Sequence, residues 1–365
     1  MNTPLTIIHT PHGDGSPYVS TLAERLPQDP VGGDMLTISF LTEPGDAGTA
    51  ATLHWTRNGR AQTPIGGRAQ ARYASFDRWL FELGVLEAGD AVTYWLLAEV
   101  NGGQVESEHF TFVTRRLRRL AGLAPIQADA GCSSATLLDE QGQPGPRLVL
   151  TMTPGQATLV RLTVEQQAAG EQGAARAGEC AVAAPAGLQL VATGGQVHLR
   201  WPARGLDLPL QLRWLEDGDG ALVAVELTGA LEPGEALVGF GERYDAVNQR
   251  GRALDTIVYE QYKNHGNRSY LPVPYFCSSR GYACLVEGTA RVQYDLGRTV
   301  PDRWRCLAFA DSGRQVAVAW LGGAPLENLR TLTALTGRPT AAPPAWVFGP
   351  WMSSNEWNTQ GRVEQ

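Results

Sequence analysis

Apolar and polar residues alternate along most of this chain, and turn-forming residues interrupt the alternation every few positions. Alternation with a period of two is typical of β-strands that bury one face. Short strands between frequent turns favour β-sandwiches over helical bundles, so the predicted fold is mainly β. Asn58-Gly59 and Asn101-Gly102 are strong turn dipeptides, and the second lies between two strand patterns, as in a tight hairpin. The predicted strands are Met35–Leu41, Ala51–Arg57, Arg78–Leu83, Ala91–Val100, Glu108–Val113, Arg147–Thr153, Ala157–Glu165, Gln196–Trp201, Leu208–Trp214, Ala221–Leu227, Tyr275–Ser278, Tyr282–Val286, Val292–Leu296, Trp304–Ala310 and Gln315–Trp320.

One segment near the end departs from this alternation. Leucine recurs every third residue from Leu326 to Leu335, which places an apolar stripe along one face of a helix. Pro325 suits the first turn of a helix, and Gly337 suits the position just after its end. We therefore predict an amphipathic helix over residues 325–336.

The last residues predict the beginning of a different architecture. Ala345–Gly349 is apolar throughout and predicts a fully buried strand, followed by the polar loop Ser353–Asn358 and a helix that begins near Thr359. A strand, a loop and a helix make one unit of a (β/α)8 barrel, and one such unit cannot fold alone. We expect the chain to stop inside a barrel domain, with residues 346–365 poorly packed.

The strand pattern divides at a dense basic run, Arg115–Arg119, which we interpret as a solvent-exposed linker. Residues 1–114 predict an accessory, immunoglobulin-like β-sandwich. Residues 115–340 predict a larger β-sandwich that ends in the helix, and residues 341–365 predict the start of the barrel. In the first sandwich Trp55 lies in an alternating strand, so we expect it in the core; the alternative is a ring that stacks on sugar, as in a carbohydrate-binding module.

Charge and composition exclude several function classes. The chain of 365 residues carries a formal net charge of −7 without a basic block, so nucleic acid is not an expected partner. No apolar stretch approaches the roughly 18 residues of a membrane span, and neither an amphipathic membrane helix nor a signal peptide is visible. We expect a cytoplasmic protein without membrane contact, and the sequence leaves an oligomer open.

The cysteines give no sign of a metal site. Five of them lie far apart and none forms a Cys-x-x-Cys pair, so neither a disulfide framework nor a zinc site is expected. Buried free thiols fit best, although Cys277 and Cys284 could face each other across a hairpin. Asp217–Gly220 is interpreted as a β-turn rather than a calcium loop, because no bidentate Glu follows at the required spacing. No cofactor is expected.

The stretch Leu237–Val286 is the richest in side chains that can recognise a ligand. It holds six of the ten tyrosines of the chain together with two polar runs, Glu242–Arg250 and Glu260–Arg268. Flat apolar rings beside amides, carboxylates and guanidinium groups are what a sugar ring requires. The alternative is a twisted sheet with aromatic cross-strand pairs and solvated loops, which composition alone favours.

Seven short motifs occur in order across this stretch and beyond it: Gly239–Arg243, Glu260–Gln261, Tyr262–Asn264, Pro274–Phe276, Ser278–Tyr282, Thr336–Pro339 and Pro343–Trp346. Together they resemble the N-terminal portion of family-31 glycoside hydrolases, the α-glucosidase and α-xylosidase type. The resemblance implies a galactose-mutarotase-like super-β-sandwich over residues 115–340, then the first strand of a truncated (β/α)8 catalytic barrel from Trp346. Residues 1–114 are similar only in position to the accessory, carbohydrate-binding-module-like sandwich of some members.

The resemblance implies a retaining α-glycosidase that acts by double displacement. The substrate would be an α-glucoside or a related xyloside or sulfoquinovoside. Members use two Asp on later barrel strands, so the nucleophile and the acid/base are expected beyond Gln365, and no residue here is assigned a catalytic role. Asp245, Asp255 and Asp295 are not promoted to that role, and we expect the 365-residue chain alone to be inactive.

The resemblance also implies residues of this chain that contact the substrate. In the family the loop after the first barrel strand borders the sugar that is cleaved, and a sandwich loop, here within Arg252–Arg268, reaches over the pocket. The substrate-binding residues that this implies are Asn355, Glu356, Trp357, Glu260 and Gln261.

Two alternatives from other function classes stay open. One is a stand-alone carbohydrate-binding protein made of two β-sandwiches, without catalysis. The other is a mutarotase-like epimerase, which needs an acid/base pair, typically His with Glu, in a sheet cleft. Of the six histidines only His198 lies in a strand pattern of the larger domain. No partner for it is evident, so the epimerase is the weakest reading.

Overall fold

The computed structural model describes residues 4–13, 18, 21–72, 75–100, 103–153, 155, 158–167, 179–260, 265–338, 341–351 and 359–364. This part of the chain is mainly β, which confirms the predicted fold class. All strand pairs are antiparallel, as expected for sandwiches whose strands follow one another through short turns.

The strands between residues 6 and 113, in chain order, are β1 (Thr6–Ile8), β2 (Arg25–Leu26), β3 (Met35–Glu43), β4 (Gly48–Arg57), β5 (Arg60–Ala61), β6 (Ile65–Gly66), β7 (Arg68–Arg72), β8 (Asp77–Val85), β9 (Ala91–Val100), β10 (Gly103–Glu106) and β11 (Phe110–Val113). They form two sheets, one ordered β1-β3-β8-β7 with β2 beside β3, the other β10-β9-β4-β5 with β6 beside β4 and β11 beside β9. One core joins them and includes Phe40, Phe81 and Tyr94. Trp55 packs half-buried against this core, as expected for a core-side residue.

The turn between β4 and β5 follows the rule for two-residue hairpins. Asn58 and Gly59 have φ of 53° and 74°, and Arg57 pairs with Arg60 across them. Positive φ at both central positions is what a type I′ turn requires, and Asn-Gly tolerates it well. The second predicted turn dipeptide, at residues 101–102, lies outside the described residues.

A buried histidine links the two sheets of this sandwich. His9 is only 9% exposed. Its Nδ1–H donates to the Ser39 carbonyl at 2.8 Å, so Nε2 accepts from the Tyr94 hydroxyl, also at 2.8 Å. The ring stacks on Phe40 with centroids 4.1 Å apart. Because burial penalises the charged ring, the pKa of His9 falls from 6.5 to about 4.

His9 should therefore make this sandwich sensitive to acid. Between pH 6.5 and about 4 the unfolded chain protonates His9 and the folded chain does not, so stability is complete above this window and falls as the pH drops through it. The free energy of unfolding should change by about 3 kcal/mol across this window. Thermal unfolding of wild type and His9→Gln from pH 7 to pH 4 measures it, and the variant should lose less stability over that interval. Parallel pH profiles would contradict the assignment.

The strands between residues 116 and 322 are β12 (Arg116–Arg119), β13 (Gly122–Asp129), β14 (Cys132–Leu138), β15 (Pro144–Met152), β16 (Leu159–Glu165), β17 (Cys180–Ala183), β18 (Gln189–Thr193), β19 (Gln196–Trp201), β20 (Leu206–Glu216), β21 (Leu222–Ala230), β22 (Leu237–Gly241), β23 (Ala253–Asp255), β24 (Pro272–Ser278), β25 (Tyr282–Glu287), β26 (Val292–Leu296), β27 (Arg303–Phe309) and β28 (Gln315–Gly322). The nine-stranded sheet runs β17-β18-β19-β20-β21-β27-β26-β23 with β12 beside β20, and the eight-stranded sheet runs β13-β14-β15-β16-β28-β25-β24-β22. Their facing sides share one large core around Trp214, Trp304 and Trp320.

The basic run Arg115–Arg119 is not the exposed linker that we predicted. It contains β12, which pairs antiparallel with β20 from Arg116 to Arg119. Arg118 bonds Asp139 at 2.6 Å and Glu216 at 3.1 Å, and Leu117 packs into a small apolar cluster. Carboxylates on the neighbouring elements neutralise Arg118, and Arg119 is exposed to solvent, so the run can join a sheet despite its charge.

The predicted helix is present with the predicted bounds. The helix α1 (Pro325–Thr336) places Leu332 and Leu335 against the eight-stranded sheet. The leucine stripe is only half buried, because Leu326 and Leu329 are 69% and 47% exposed. Asn328, which the stripe does not include, is fully buried and donates to the Gly323 carbonyl at 2.7 Å. In the part of the chain that the structure describes, no helix is long and apolar enough to cross a bilayer.

The expected buried strand at residues 345–349 is not formed. Ala345–Phe348 is a short 3₁₀ helix, and Trp346, Phe348 and Trp351 are 73%, 76% and 74% exposed. No described strand pairs with this segment, so its backbone bonds locally, as from Val347 to the Pro344 carbonyl. The helix predicted near Thr359 is present as α2 (Gln360–Val363). Residues 353–358 lie outside the described part.

All five cysteines are free thiols, and every one except Cys132 is buried. Cys277 pairs with Ala283, and Cys284 pairs with Phe276. The two thiols therefore point to opposite faces of the hairpin, which excludes the facing pair that the sequence left open.

Candidate functional site

The candidate site begins where β22 leaves the eight-stranded sheet. Gly239, Phe240 and Gly241 have φ of 116°, 67° and 82°, so three successive residues take the left-handed half of φ space. The pairing with β24 skips a position between Gly239 and Gly241. We call these three residues the left-handed kink, and it turns the chain from the sheet into the polar loop that follows.

Glycine is required at the end of the kink for reasons of space. A Cβ on Gly241 would lie 2.1 Å from the Leu271 carbonyl oxygen and 2.6 Å from the Val273 nitrogen. Phe240 has a Cβ and still adopts positive φ, which costs about 1–3 kcal/mol. Its ring is fully buried and stacks on Phe276 with centroids 5.6 Å apart. Burial of this large ring offsets the backbone strain.

Directly after the kink, Arg243 joins the two loops that form the site. Its Nε donates to the Phe240 carbonyl at 3.0 Å, and Nη1 donates to the Asn267 carbonyl at 2.8 Å. Asn267 in turn donates from Nδ2 to the Ala253 carbonyl. The loop after β22 and the loop before β24 are therefore held to each other by hydrogen bonds to backbone atoms.

Between these loops lies a polar cleft of about 350 Å³. Its carboxylate, Asp245, accepts from Arg252, from Gln249 Nε2 at 3.2 Å and from the Ala246 amide at 2.9 Å. The cleft volume falls within the roughly 300–1,000 Å³ typical of small-molecule sites. The residues that line it are Asp245, Gly251, Arg252, Ala253, Gly266, Asn267 and Arg298.

The segment after β23 is held from the first sandwich. The Tyr18 hydroxyl donates to the Ile257 carbonyl at 2.6 Å and lies 3.3 Å from the Asp255 carbonyl. The Tyr18 ring meets Tyr259 edge-on, with centroids 5.5 Å apart, and the guanidinium of Arg268 lies 3.8 Å from the centre of the Tyr259 ring. Burial of the hydroxyl raises the pKa of Tyr18 to about 12, so it stays a hydrogen-bond donor at neutral pH.

Arginine holds the next carboxylate of the loop as well. Arg291 bonds both oxygens of Asp255, at 2.6–3.1 Å, and the Ile257 amide donates to the same side chain at 2.9 Å. Asp295 accepts from Thr299 and from the Arg298 amide. A carboxylate with its lone pairs occupied in this way is a poor nucleophile and has no proton to donate.

The structure describes one of the five substrate-binding residues that the sequence implied. Glu260 is exposed. Gln261, Asn355, Glu356 and Trp357 lie outside the described residues, so the relation of Glu260 to them is not defined.

The five described tyrosines of the central stretch fall into two groups, and Tyr262 lies outside the described residues. Tyr275 and Tyr282 are buried in the sheet cores, as cross-strand packing predicts. Tyr244 and Tyr270 are 54% and 48% exposed, and Tyr259 lies in the loop beside Tyr18. The sequence pattern does not separate the two groups, because both combine rings with polar neighbours.

Sequence reasoning missed two partners. Tyr18 lies more than 230 residues from the loop that it contacts, and no local pattern signals such a contact. The sequence shows no partner for His198, but its Nδ1 lies 2.9 Å from Asp207 on the adjacent strand, and Asp207 also pairs with Arg200. This is an ion-pair cluster across β19 and β20 rather than a His–Glu pair in a cleft. No group of three or more His, Cys, Asp or Glu among the described side chains is arranged to hold a metal ion.

Gly241→Ala should destabilise the protein far more than Gly251→Ala. Both glycines have left-handed φ, of 82° and 83°. An added Cβ at Gly251 meets no atom within 4 Å, whereas at Gly241 it meets backbone at 2.1 Å. The free energy of unfolding should fall by about 1 kcal/mol in the control, Gly251→Ala, and by at least about 2 kcal/mol more in Gly241→Ala. Urea unfolding of the two variants measures the difference, and equal losses would show that the close approach at Gly241 is unimportant.

Two family models match this chain. Residues 161–295 match the glycosyl hydrolase 31 N-terminal galactose mutarotase-like domain. Residues 8–79 match a domain described as Lmo2446-like, N-terminal. The match over residues 161–295 includes the kink, every cleft-lining residue except Arg298, and most of the nine-stranded sheet, without β12 and β27.

The chain also resembles individual proteins. The isomaltosyltransferase of Sporosarcina globispora is 27% identical over 382 aligned positions, which take in 98% of this chain and 34% of that protein. The 1,3-alpha-isomaltosidase of Kribbella flavida is 37% identical over 150 positions, 36% of this chain and 19% of that protein. The structure of the cycloalternan-forming enzyme from Listeria monocytogenes, in complex with a pentasaccharide substrate, matches with a TM-score of 0.80 at 26% identity, over 98% of this chain and 35% of that one. The chain spans about a third of the length of the relatives that match it throughout.

Proposed function

Since this chain carries the N-terminal, galactose mutarotase-like region of glycosyl hydrolase family 31, we propose that it is the N-terminal part of a protein that cleaves α-glucosidic bonds of oligosaccharides. The observation that carries the proposal is the match to an isomaltosyltransferase along 98% of the chain. The substrate class proposed is accordingly a glucose oligosaccharide with isomaltosyl units.

The proposed chemistry is double displacement by two carboxylates. A first carboxylate forms a glycosyl-enzyme intermediate, and a second donates and then removes a proton. The intermediate can react with water or with a sugar hydroxyl, so hydrolysis and transfer share one mechanism. Asp245 and Asp255 are bonded to Arg252 and Arg291 and are poor candidates for either role. In this proposal both carboxylates come from a catalytic barrel elsewhere in a longer protein.

The part proposed for this chain is to shape one side of the sugar pocket. The cleft beside Asp245 offers guanidinium, amide and carboxylate groups that suit sugar hydroxyls. Glu260 is exposed, and we propose that it contacts substrate together with Gln261, Asn355, Glu356 and Trp357. The three exposed rings Trp346, Phe348 and Trp351 support a further domain packed against them, since clustered exposed aromatic side chains mark contact surfaces.

Turnover by two versions of the protein tests the proposal. Residues 1–365 and a version extended along its natural reading frame are assayed on panose, on isomaltotriose and on aryl α-glucoside and α-xyloside, with products separated by chromatography. We expect turnover by the extended protein alone, with free or transferred isomaltosyl units. Equal turnover by residues 1–365 would place the catalytic carboxylates among the residues excluded above. An extended protein that binds these sugars without cleaving them would favour the stand-alone binding alternative.

Single variants of the extended protein test the proposed contacts. Glu260→Ala and Trp357→Ala should each lower kcat/KM about tenfold, because each removes one direct substrate contact. Glu108→Ala removes an exposed carboxylate from the first sandwich and is the matched control, with unchanged kinetics expected. Wild-type kinetics for both test variants would refute the proposed contacts but would leave the proposed reaction unaffected.

A further inference from the structure

A second polar cavity lies on the outer face of the nine-stranded sheet, apart from the loop cleft. Its volume is about 590 Å³. On β20, β21 and β27 the residues that point away from the cavity, such as Leu210, Leu227 and Cys306, belong to the large core. The cavity floor is therefore the solvent side of a rigid sheet, which is a precise support for a binding site.

Two guanidinium groups on this floor are fixed by one buried carboxylate. Glu226, which is 4% exposed, accepts two hydrogen bonds from Arg213 through Oε1 and one from Arg305 through Oε2 at 2.5 Å. Nη1 of Arg213 and both Nη atoms of Arg305 have no hydrogen-bond partner in the described part of the chain. The shared carboxylate orients both guanidinium groups and leaves some of their N–H donors free to face the cavity.

Two more arginines stand at the rim and are less constrained. The guanidinium of Arg119 pairs with none of the described carboxylates. Arg303 makes a weak ion pair, because its Nε lies 3.8 Å from Asp302 Oδ1 and the Asp302 side chain is 76% exposed. The acidic residue among those lining the cavity, Asp295, already accepts from Thr299 and the Arg298 amide. Four guanidinium groups thus converge on one cavity in a chain whose net charge is −7.

We propose that this cavity binds a small sugar that carries a phosphate or sulfate group. Donors from several directions suit a tetrahedral oxyanion better than a planar carboxylate, because the former presents three or more acceptor oxygens. The cavity is far larger than an inorganic ion, and the remaining polar lining, Gln196, Gln211, Thr228 and Thr299, suits hydroxyl groups. The proposal needs no catalytic activity and does not depend on the proposed function.

Calorimetric titration of residues 1–365 with glucose 6-phosphate, glucose 6-sulfate, inorganic phosphate and glucose tests this site. We expect saturable binding of the sugar esters that weakens as KCl is added, weaker binding of inorganic phosphate, and none of glucose. Equal affinity for inorganic phosphate and the sugar esters would show that the site does not recognise the sugar, and would contradict the proposed ligand. Binding of glucose as strong as that of its phosphate would overturn the anion site.

Variants locate the binding. The double variant Arg119→Gln, Arg303→Gln changes exposed side chains that make no strong ion pair, so it should fold with an unchanged melting temperature. It should lose at least about tenfold in affinity for glucose 6-phosphate. Arg330→Gln removes an exposed arginine from α1 and should bind like the wild type. No saturable binding by the wild type, or unchanged affinity in the folded double variant, would refute the proposal.

Discussion

The left-handed kink Gly239–Gly241 is the constraint on which the candidate site depends. It combines a backbone conformation that side chains disfavour with a fully buried ring, Phe240, packed on Phe276 and Tyr294. The large core thus holds a strained turn in place at the edge of the eight-stranded sheet. Arg243 follows at once and bonds back to the kink and across to Asn267, so the geometry of the kink sets the position of both loops.

The first sandwich is part of the same support. It meets the larger sandwich through the Arg115–Asp29 ion pair at 3.2 Å and the bridge between Val31 and Arg115. Val31 also packs against Leu215 and Leu307 on the outer face of the nine-stranded sheet. A fourth contact, from Tyr18, falls on the segment after β23. A loop that both sandwiches hold is better defined than one attached only at its ends.

The sequence was most informative where the physics is local. Alternation located fifteen of the 28 described strands, and turn and helix signals located the Asn58-Gly59 turn and α1 with its bounds. Side-chain period and turn chemistry decide those features within a few residues. It failed for Arg115–Arg119, where carboxylates distant in sequence pair with Arg115 and Arg118. It also failed for residues 345–349, an apolar run that pairs with no described strand. The family resemblance, which motifs such as Gly239–Arg243 carried, was confirmed over residues 161–295. Contacts such as Tyr18 with Ile257 depend on the assembled fold and leave no mark on the local pattern.

Hydrogen–deuterium exchange over residues 253–260 tests most directly whether the first sandwich supports the site loop. The amides of Ile257 and Tyr259 are bonded to Asp255 and to the Ser269 carbonyl, and the Tyr18 hydroxyl holds the backbone between them. Tyr18→Phe removes the hydroxyl and keeps the ring, so protection of these amides should fall about fivefold, while protection of β24 stays unchanged. Equal protection in wild type and variant would show that the loop is held by the larger sandwich alone.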